Sequence, residues 1–511
     1  MTTNKIKLNN QTTKELSLWI IYSICFLISI VCFLLFGTNS PIYAFNGDID
    51  YQWYMTIGNA LTHGKIPYRD LFEHKGPIVY FVTAFCCLFP DPRTIMLIIE
   101  ILCMSLFFFF AYRICKKRLN TFYSLIAIPI LAFTIFSSWG RISHGSTVEE
   151  FCLPMLAYFL LCWFEFLFEK RDWNWIRALC LGLCFGIIFW IKYTILYFMV
   201  TPMIIWIVLS LRKKQYRTII YNLLCMLAGV LIITAPIVIF YVLHQAFNDL
   251  FYVYFIVNLT AYSDFIFSKV VETFTVFFSL GIAILFFMFW GIYRYTIKYW
   301  QSREGLLLLT AYLTTFALFT FSSKGNFYYC NALFPYAILG IMDIVDLAKT
   351  KLKKIQFKKW FYTLFVFFCL AITIPFSDLP YESDRPENDY APIVIANIIH
   401  DYEINNHTQA TLFCYKLWDL GVHNASGIIP NNYFYAKSYF DREKFPAMYE
   451  GFENSIKNQT SDFVVIDSED YYNEIDFISQ YYEPYTGDLK TSSYKYWNCI
   501  DSYILFLLIK K

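Results

Sequence analysis

The chain alternates long apolar runs with short charged segments, and this alternation predicts a membrane protein. A run of about 17–25 mostly apolar residues is long enough to cross a bilayer as a helix. Eleven such runs occur, at 16–37, 95–115, 121–138, 151–168, 176–191, 194–211, 218–243, 270–293, 305–321, 327–346 and 360–376. The expected fold class is therefore a polytopic α-helical membrane protein with about 11 transmembrane helices.

The pattern changes near residue 377, where the sequence becomes polar, aromatic and rich in turn residues. Residues 411–415 and 462–467 have the character of buried strands, and a helical pattern lies near 445–458. We therefore expect two domains, a transmembrane domain over 1–376 and a small α/β domain over 377–511. Cys414 and Cys499 lie in the second domain, where they could form a disulfide or remain free thiols.

The positions of the basic residues predict how the chain is oriented. Clusters of Lys and Arg fall in alternate loops, at 5–14, 113–118, 170–177, 212–217, 294–303 and 349–359. Because cytoplasmic loops carry the excess of positive charge, this parity puts the N-terminus inside and both 38–94 and 377–511 outside. The apolar residues 78–89 are too short to cross and are expected to form a juxtamembrane or re-entrant helix on the outer face.

Composition agrees with a membrane location and excludes some functions. The 511 residues are 58% hydrophobic and only 16% charged, which is more apolar surface than a globular core of this size needs. The net charge of +2 is not gathered on one basic face, so no nucleic-acid partner is expected. The sequence has no P-loop, no Gly-x-Gly-x-x-Gly and no Gly-x-Ser-x-Gly, so nothing in it indicates a nucleotide-binding fold.

The outer loop 38–94 carries the densest group of polar and charged residues. Its two acids, Asp48 and Asp50, precede the aromatic and apolar positions Trp53, Tyr54, Ile57 and Leu61, whose helical spacing predicts an interfacial amphipathic helix. An acid at the start of a helix has two explanations. Asp50 could simply cap the helix, or it could be a carboxylate that accepts a proton in catalysis.

Three lysines on the outer side are candidates for binding an anion. Lys75 stands just before the 78–89 helix, whose N-terminal amide groups favour negative charge. Lys192 and Lys324 fall in other outer loops and could reach the same headgroup layer. For each of them, the alternative is an ordinary interfacial lysine whose amine extends to water.

Several other polar residues have both a functional and a structural explanation. Glu149 and Glu150 open a span from outside, where acids are favoured by the helix dipole, but one of them could orient an acceptor. His74 is a candidate substrate contact. Glu100 falls within the second span, so it should be protonated, paired or facing a cavity.

The loop also resembles a known family. In this loop an acid is followed by an aromatic-rich helix, then by a polar segment and then by an apolar helix. The polar segment is Gly64-Lys65-Ile66-Pro67-Tyr68-Arg69-Asp70-Leu71-Phe72-Glu73-His74-Lys75-Gly76-Pro77. This order resembles the first outer loop of GT-C superfamily glycosyltransferases. This superfamily includes protein mannosyltransferases, lipid A aminoarabinose transferases and Gram-positive teichoic-acid or surface-polysaccharide glycosyltransferases. The first two groups have Lys-Pro-Pro-Leu where this chain has Lys75-Gly76-Pro77-Ile78, which favours the third group. The resemblance is strong over 46–85 and weaker at 147–154, 191–193 and 327–335.

The resemblance implies a function and a set of site residues. It implies an inverting transfer of a sugar from a polyprenyl-phosphate donor to a hydroxyl of a cell-surface polysaccharide, teichoic acid or glycolipid, in contact with membrane lipid. The family's catalytic base is the first acidic residue of the loop, which Asp50 matches better than Asp48. Substrate-binding residues are then expected among the remaining candidates: Lys75, His74, Glu149, Glu150, Lys192 and Lys324. No cofactor is required, although Asp48-Ile49-Asp50 resembles a metal-binding pair of oligosaccharyl transferases, so a divalent cation remains possible.

Two other functions stay open from the residues alone. A lipid-linked sugar flippase or transporter would also have many spans and charged residues facing a cavity, although the chain lacks the two-half repeat common in transporters. A non-catalytic protein could instead bind surface polymer through the aromatic-rich 377–511 segment. Replacing Asp50 separates these possibilities, because only the glycosyltransferase loses its activity.

Overall fold

We analysed a computed structural model that describes residues 16–137, 145–262, 275, 282–298, 303–322, 331–351, 359–377, 379–438, 440–497 and 502–511. The larger helices before residue 377 are α1 (Leu18–Phe36), α2 (Ile49–Thr62), α3 (Pro77–Cys87), α4 (Pro92–Cys115), α5 (Thr121–Phe136), α6 (Val148–Phe168), α7 (Trp175–Lys192), α8 (Tyr197–Arg212), α9 (Tyr216–Leu243), α10 (Phe247–Phe251), α11 (Ile282–Lys298), α12 (Arg303–Ser322), α13 (Phe334–Lys351) and α14 (Lys359–Thr373). A wider π-type helical stretch, Tyr252–Tyr262, continues α10.

Each of the eleven predicted runs overlaps one of these helices. Within the described ranges, six helical stretches are long and apolar enough to cross a membrane: Leu18–Phe36, Pro92–Cys115, Val148–Phe168, Trp175–Arg212, Tyr216–Leu243 and Asn331–Lys351. The polytopic helical fold is therefore confirmed, whereas the count of eleven crossings and the orientation of the chain remain predictions. The run 78–89 forms the short helix α3, as expected from its length.

The C-terminal part is an α/β unit, as the sequence predicts. Its helices are α15 (Leu379–Glu382), α16 (Ala391–Asn406), α17 (Val422–Ser426), α18 (Pro446–Lys457), α19 (Ser468–Asn473) and α20 (Ile475–Ile478), and its strands are β1 (Leu412–Tyr415), β2 (Phe463–Asp467), β3 (Tyr482–Pro484), β4 (Ser493–Trp497) and β5 (Ser502–Lys510). The predicted strands are β1 and β2, which pair in parallel. The last strand, β5, lies antiparallel to β2 and also pairs with β3 and β4, so it is central to the sheet.

Within the segment 38–94, the helix α2 is buried against α3 and the C-terminal domain, which corrects one expectation. The helix α2 was expected to lie half-exposed at the membrane surface, but ten of its 14 residues are buried. Its Trp53 packs against Trp418 with ring centroids 5.6 Å apart, and the hydroxyl of Thr56 donates to Asp419 at 2.6 Å. On another side, α2 crosses α3 so closely that a Cβ on Gly58 would lie 2.4 Å from the hydroxyl oxygen of Thr83.

Candidate active site

The two acids at the start of α2 have different environments. Asp48 is the N-cap, because its side chain accepts a hydrogen bond from the backbone N–H of Tyr51 at 2.9 Å. The capping explanation therefore applies to Asp48 and is wrong for Asp50. Asp50 lies in the first turn with its side chain buried, and its Oδ2 atom has no hydrogen-bond partner. This carboxylate is available for an interaction that the protein itself does not satisfy.

Burial and neighbouring charges set the protonation of Asp50. The pKa of Asp50 is raised from 3.8 to about 7, mainly because the side chain is buried. The positive charge of Lys75 opposes this rise, and the carboxylates of Asp48, Glu149 and Glu73 contribute to it. A carboxylate with a pKa near neutrality can both accept and release a proton at physiological pH.

Lys75 lies within electrostatic range of this acid, and the glycine that follows it packs closely against α7. The backbone N–H of Gly76 donates to the carbonyl of Ile191 at 3.1 Å, at the end of α7. A Cβ at Gly76 would lie 2.1 Å from the carbonyl oxygen of Trp190, so only glycine fits this contact. The contact also brings Lys75 to the end of α7 that carries Lys192. Lys75 itself is only 4% exposed, so the expectation of an amine extended to water is wrong.

An ion pair lies at the same end of α7. The amine of Lys192 contacts Oε1 of the buried Glu149 at 2.5 Å. Glu150 turns away from this pair, since its Oε2 accepts the backbone N–H of Gly145 at 3.1 Å. Of the two neighbouring acids, Glu149 is thus the one that joins Asp50 and the lysines.

The pair Glu73 and His74 holds the turn before Lys75. Oε2 of Glu73 accepts the backbone N–H of Lys75 at 2.8 Å and the hydroxyl of Tyr80, and its Oε1 lies 3.0 Å from Nδ1 of His74. Burial would raise the pKa of Glu73, but His74, Lys75 and the Tyr80 hydroxyl outweigh it and lower the pKa to about 2. Burial, with help from Lys75, lowers the pKa of His74 to about 4 despite the opposing charge of Glu73. Glu73 was not among the site residues predicted from the sequence, although it lies between Phe72 and His74 in the segment that carries the family resemblance.

The C-terminal domain covers this turn. The backbone N–H of Phe72 donates to the carbonyl of Tyr433 at 2.8 Å, and the ring of Phe72 is surrounded by aromatic rings 5.1 to 5.9 Å away. These rings belong to Tyr433, Phe434, Phe440 and Phe445. The C-terminal domain therefore forms one wall of the site and is not an independent appendage.

An apolar groove of about 480 Å³ leads away from the two lysines. It lies between α3, α4, α6 and α7, and its lining includes Ile78, Cys103, Phe110, Tyr158, Ile187 and Ile191. Ile78 and Ile191 are close in sequence to Lys75 and Lys192, so the groove begins next to the charged cluster. The lining residues of α7 extend from Cys180 to Ile191, which corresponds to roughly 17 Å along a helix.

The structure thus brings together most of the residues predicted from the sequence. Asp50, Lys75, His74 and Glu149 are buried in one cluster, the half-buried Asp48 and Lys192 lie beside them, and Glu150 is at the edge. Lys324 lies outside the described residues, as does Cys499. In the part of the chain that the structure describes, no group of three or more His, Cys, Asp or Glu side chains is placed to hold a metal ion.

Comparison with known proteins gives the class of the fold. The family model described as dolichyl-phosphate-mannose-protein mannosyltransferase matches residues 74–240, which include Lys75, Glu149, Glu150 and Lys192 but not Asp50. No curated protein matches the sequence.

Two solved proteins share the fold over almost the whole chain. ArnT from Cupriavidus metallidurans, bound to undecaprenyl phosphate, is 11% identical with a TM-score of 0.58, covering 95% of this chain and 97% of that one. The oligosaccharyltransferase AglB from Archaeoglobus fulgidus, in complex with an inhibitory peptide and a dolichol-phosphate, is 14% identical with a TM-score of 0.51, covering 97% and 76%. The chain therefore shares the fold of these two proteins, and the family match supports the resemblance to GT-C superfamily glycosyltransferases. The assignment to the Gram-positive branch of that superfamily stays a prediction.

Proposed function

We propose that the protein is an inverting glycosyltransferase that moves a sugar from a polyprenyl-phosphate donor to a hydroxyl of a cell-surface polymer or glycolipid. One observation carries this proposal. Asp50 is buried with an unsatisfied oxygen, in the electrostatic range of Lys75, where an apolar groove begins. An acid to take a proton, a cation to hold a phosphate and a groove to hold a lipid are the three parts that such a reaction needs.

In the proposed reaction, the acceptor hydroxyl attacks the anomeric carbon as the bond from that carbon to the phosphate oxygen breaks. Asp50 takes the hydroxyl proton, and polyprenyl phosphate leaves with the bonding electrons. Lys75 and Lys192 stabilise the charge that grows on the phosphate, and Glu149 fixes the position of Lys192. The lipid tail occupies the groove between α3, α4, α6 and α7, and the C-terminal domain helps to form the acceptor side.

The acceptor is proposed to be a teichoic acid or surface polysaccharide. This part rests on the Gly76-Pro77 turn, which differs from the Pro-Pro turn of the protein mannosyltransferases and lipid A aminoarabinose transferases. The close approach of Gly76 to Trp190 gives that difference a physical reason, because a proline ring at position 76 would meet the carbonyl of residue 190.

The proposal is tested in two steps. Deleting the protein should change the mass of a cell-wall polymer or glycolipid by one sugar, which names the sugar and the acceptor together. The purified protein in lipid nanodiscs should then transfer that sugar from undecaprenyl phosphate, and Asp50→Asn should not. Lys75→Ala and Lys192→Ala should each lower the maximal rate and not only weaken donor binding. Unchanged maximal rates for both variants would show that the phosphate is held elsewhere.

The orientation proposed for the site is also testable. If the C-terminal domain faces outward, a cysteine-directed reagent that cannot cross membranes should label Ser383→Cys in intact cells but not Lys351→Cys. Labelling of Lys351→Cys without permeabilisation would invert the proposed topology and move Asp50 to the cytoplasmic side.

A further inference from the structure

Glu100 is a buried acid inside a membrane helix that the proposed reaction does not use. It lies on α4 and is only 1% exposed. Its Oε1 atom accepts hydrogen bonds from the side-chain amide of Asn39 at 2.9 Å and from the hydroxyl of Ser146 at 3.0 Å. Both donors belong to outer loops that are far from α4 in sequence, so this single oxygen joins three separate segments of the chain.

The first branch of these contacts leads to the start of α2. Asn39 accepts the side-chain amide of Asn46 at 2.8 Å, and Asn46 in turn accepts the backbone N–H of Asp48 at 2.9 Å. The backbone carbonyl of Asn46 also accepts the side-chain amide of Gln52. Apart from Asp48, the residues linked by these hydrogen bonds have side chains that are at least nine-tenths buried: Glu100, Asn39, Asn46 and Gln52. The first turn of α2 is therefore fixed through hydrogen bonds that begin at Glu100.

The second branch leads to the start of α6. Ser146, which contacts Glu100, precedes Thr147, the N-cap of α6. The first turn of α6 contains Glu149, the partner of Lys192. Oε2 of Glu100 makes no hydrogen bond, whereas its Oε1 is shared by the two branches, so both helix starts are held to the same buried carboxylate oxygen.

Asp50 depends on this arrangement because it lies in the first turn of α2. Its buried Oδ2 atom makes no hydrogen bond to another element, so a shift of that turn moves this oxygen with it. We infer that Glu100 is a positioning residue, which fixes the start of α2 relative to α6 and thereby the distance between Asp50 and the Lys192–Glu149 pair. This inference rests on the proposed function. It assigns to a membrane-buried acid a role in aligning the base with the phosphate-binding side.

The test uses the full-length protein in nanodiscs. Glu100→Ala should lower kcat for transfer from the undecaprenyl-phosphate sugar about 100-fold while KM for the donor changes less than about threefold, because a misplaced base affects the reaction more than binding. Glu100→Gln keeps an oxygen that can accept the two hydrogen bonds, so it should retain most of the activity. Asn39→Ala should also lower kcat, because it interrupts the branch to α2, and the double variant should be no worse than Glu100→Ala, which already interrupts both branches.

Glu165→Gln is the matched control. Glu165 is as buried as Glu100 and also lies on a membrane helix, but it pairs with Lys117 and is not part of the network. Hydrogen exchange of the amides of residues 49–52 provides a second measurement, independent of any sugar transfer. It should be at least about tenfold faster in Glu100→Ala and unchanged in Glu165→Gln.

The outcomes separate this inference from the proposed function. Faster exchange with an unchanged kcat would overturn the positioning role while leaving the glycosyltransferase intact. Unchanged exchange in both Glu100→Ala and Asn39→Ala would overturn the network itself. A wild-type protein that transfers no sugar from any polyprenyl phosphate would overturn the proposed function, and the exchange measurements would still report on the network.

Discussion

Replacing Asp50 by asparagine should abolish activity and make the protein more stable. Asparagine keeps the shape of the side chain but cannot accept a proton, so a general base worth about 100-fold or more is lost. The stability gain follows from burial, which raises the pKa of Asp50 from 3.8 to about 7. The difference between these two values corresponds to about 4 kcal/mol, an upper limit on the cost of burying the ionised form.

The sign of the pH dependence follows from which state binds the proton more tightly. Between about pH 4 and pH 7 the folded protein keeps the Asp50 proton that the unfolded chain has lost, so stability falls as the pH rises through this range. The cost is absent below about pH 4 and complete above about pH 7. Asp50→Asn escapes it, so its advantage in thermal unfolding should be small at pH 4 and largest at pH 7 or above.

The assay combines transfer kinetics with thermal unfolding of wild type, Asp50→Asn and Asp48→Asn in the same nanodiscs. Asp48→Asn is the matched control, because asparagine caps a helix about as well as aspartate, so it should change both measurements less than Asp50→Asn does. The reasoning is refuted if Asp50→Asn keeps more than about a tenth of the wild-type rate. It is also refuted if Asp48→Asn is the more damaging change, which would make Asp48 the base.

Three further changes test other parts of the site. Lys75→Gln removes the positive charge that lowers the pKa of Asp50, so the rising limb of the pH–rate profile should move above pH 7. A rising limb that stays in place would show that Lys75 and Asp50 do not interact. Gly76→Ala puts a Cβ 2.1 Å from the carbonyl oxygen of Trp190, and it should reduce transfer at least as much as Lys75→Ala, measured at equal amounts of folded protein. Phe72→Ala removes a ring packed among four aromatic rings and should weaken the contact with the C-terminal domain by about 3–5 kcal/mol. Proteolysis of that domain should then be faster than in the wild type, and an equal rate would contradict this.

The sequence predicted the helices well because apolar runs of membrane length have few alternative structures. It also located the short helix α3 and the strands β1 and β2. The strand β5 was missed, although the continuous apolar run Tyr503 to Ile509 is typical of a buried strand.

The environment of α2 could not be predicted, because it depends on contacts distant in sequence. Gln52 and Thr56 look like positions that face water, yet Asn424 and Asp419 cover them with hydrogen bonds. Similarly, spacing alone left open whether Asp50 caps the helix or serves as a catalytic carboxylate, and it did not indicate that Asp48 is the cap. Local hydrogen bonding decides it, since the side chain of Asp48 reaches the N–H of Tyr51.

The contacts between the outer loop and the C-terminal domain have a consequence for how the protein is made. The hydroxyl of Tyr433 donates to the carbonyl of Tyr68, a residue 365 positions earlier in the chain. A ribosome adding about 5–20 residues per second needs roughly 20 to 70 s to cover that separation. During this time the loop that carries Asp50 and Lys75 lacks its contacts with the C-terminal domain, so one wall of the proposed site has not yet formed. Activity should therefore begin only after the C-terminal domain has been translated and folded over the loop.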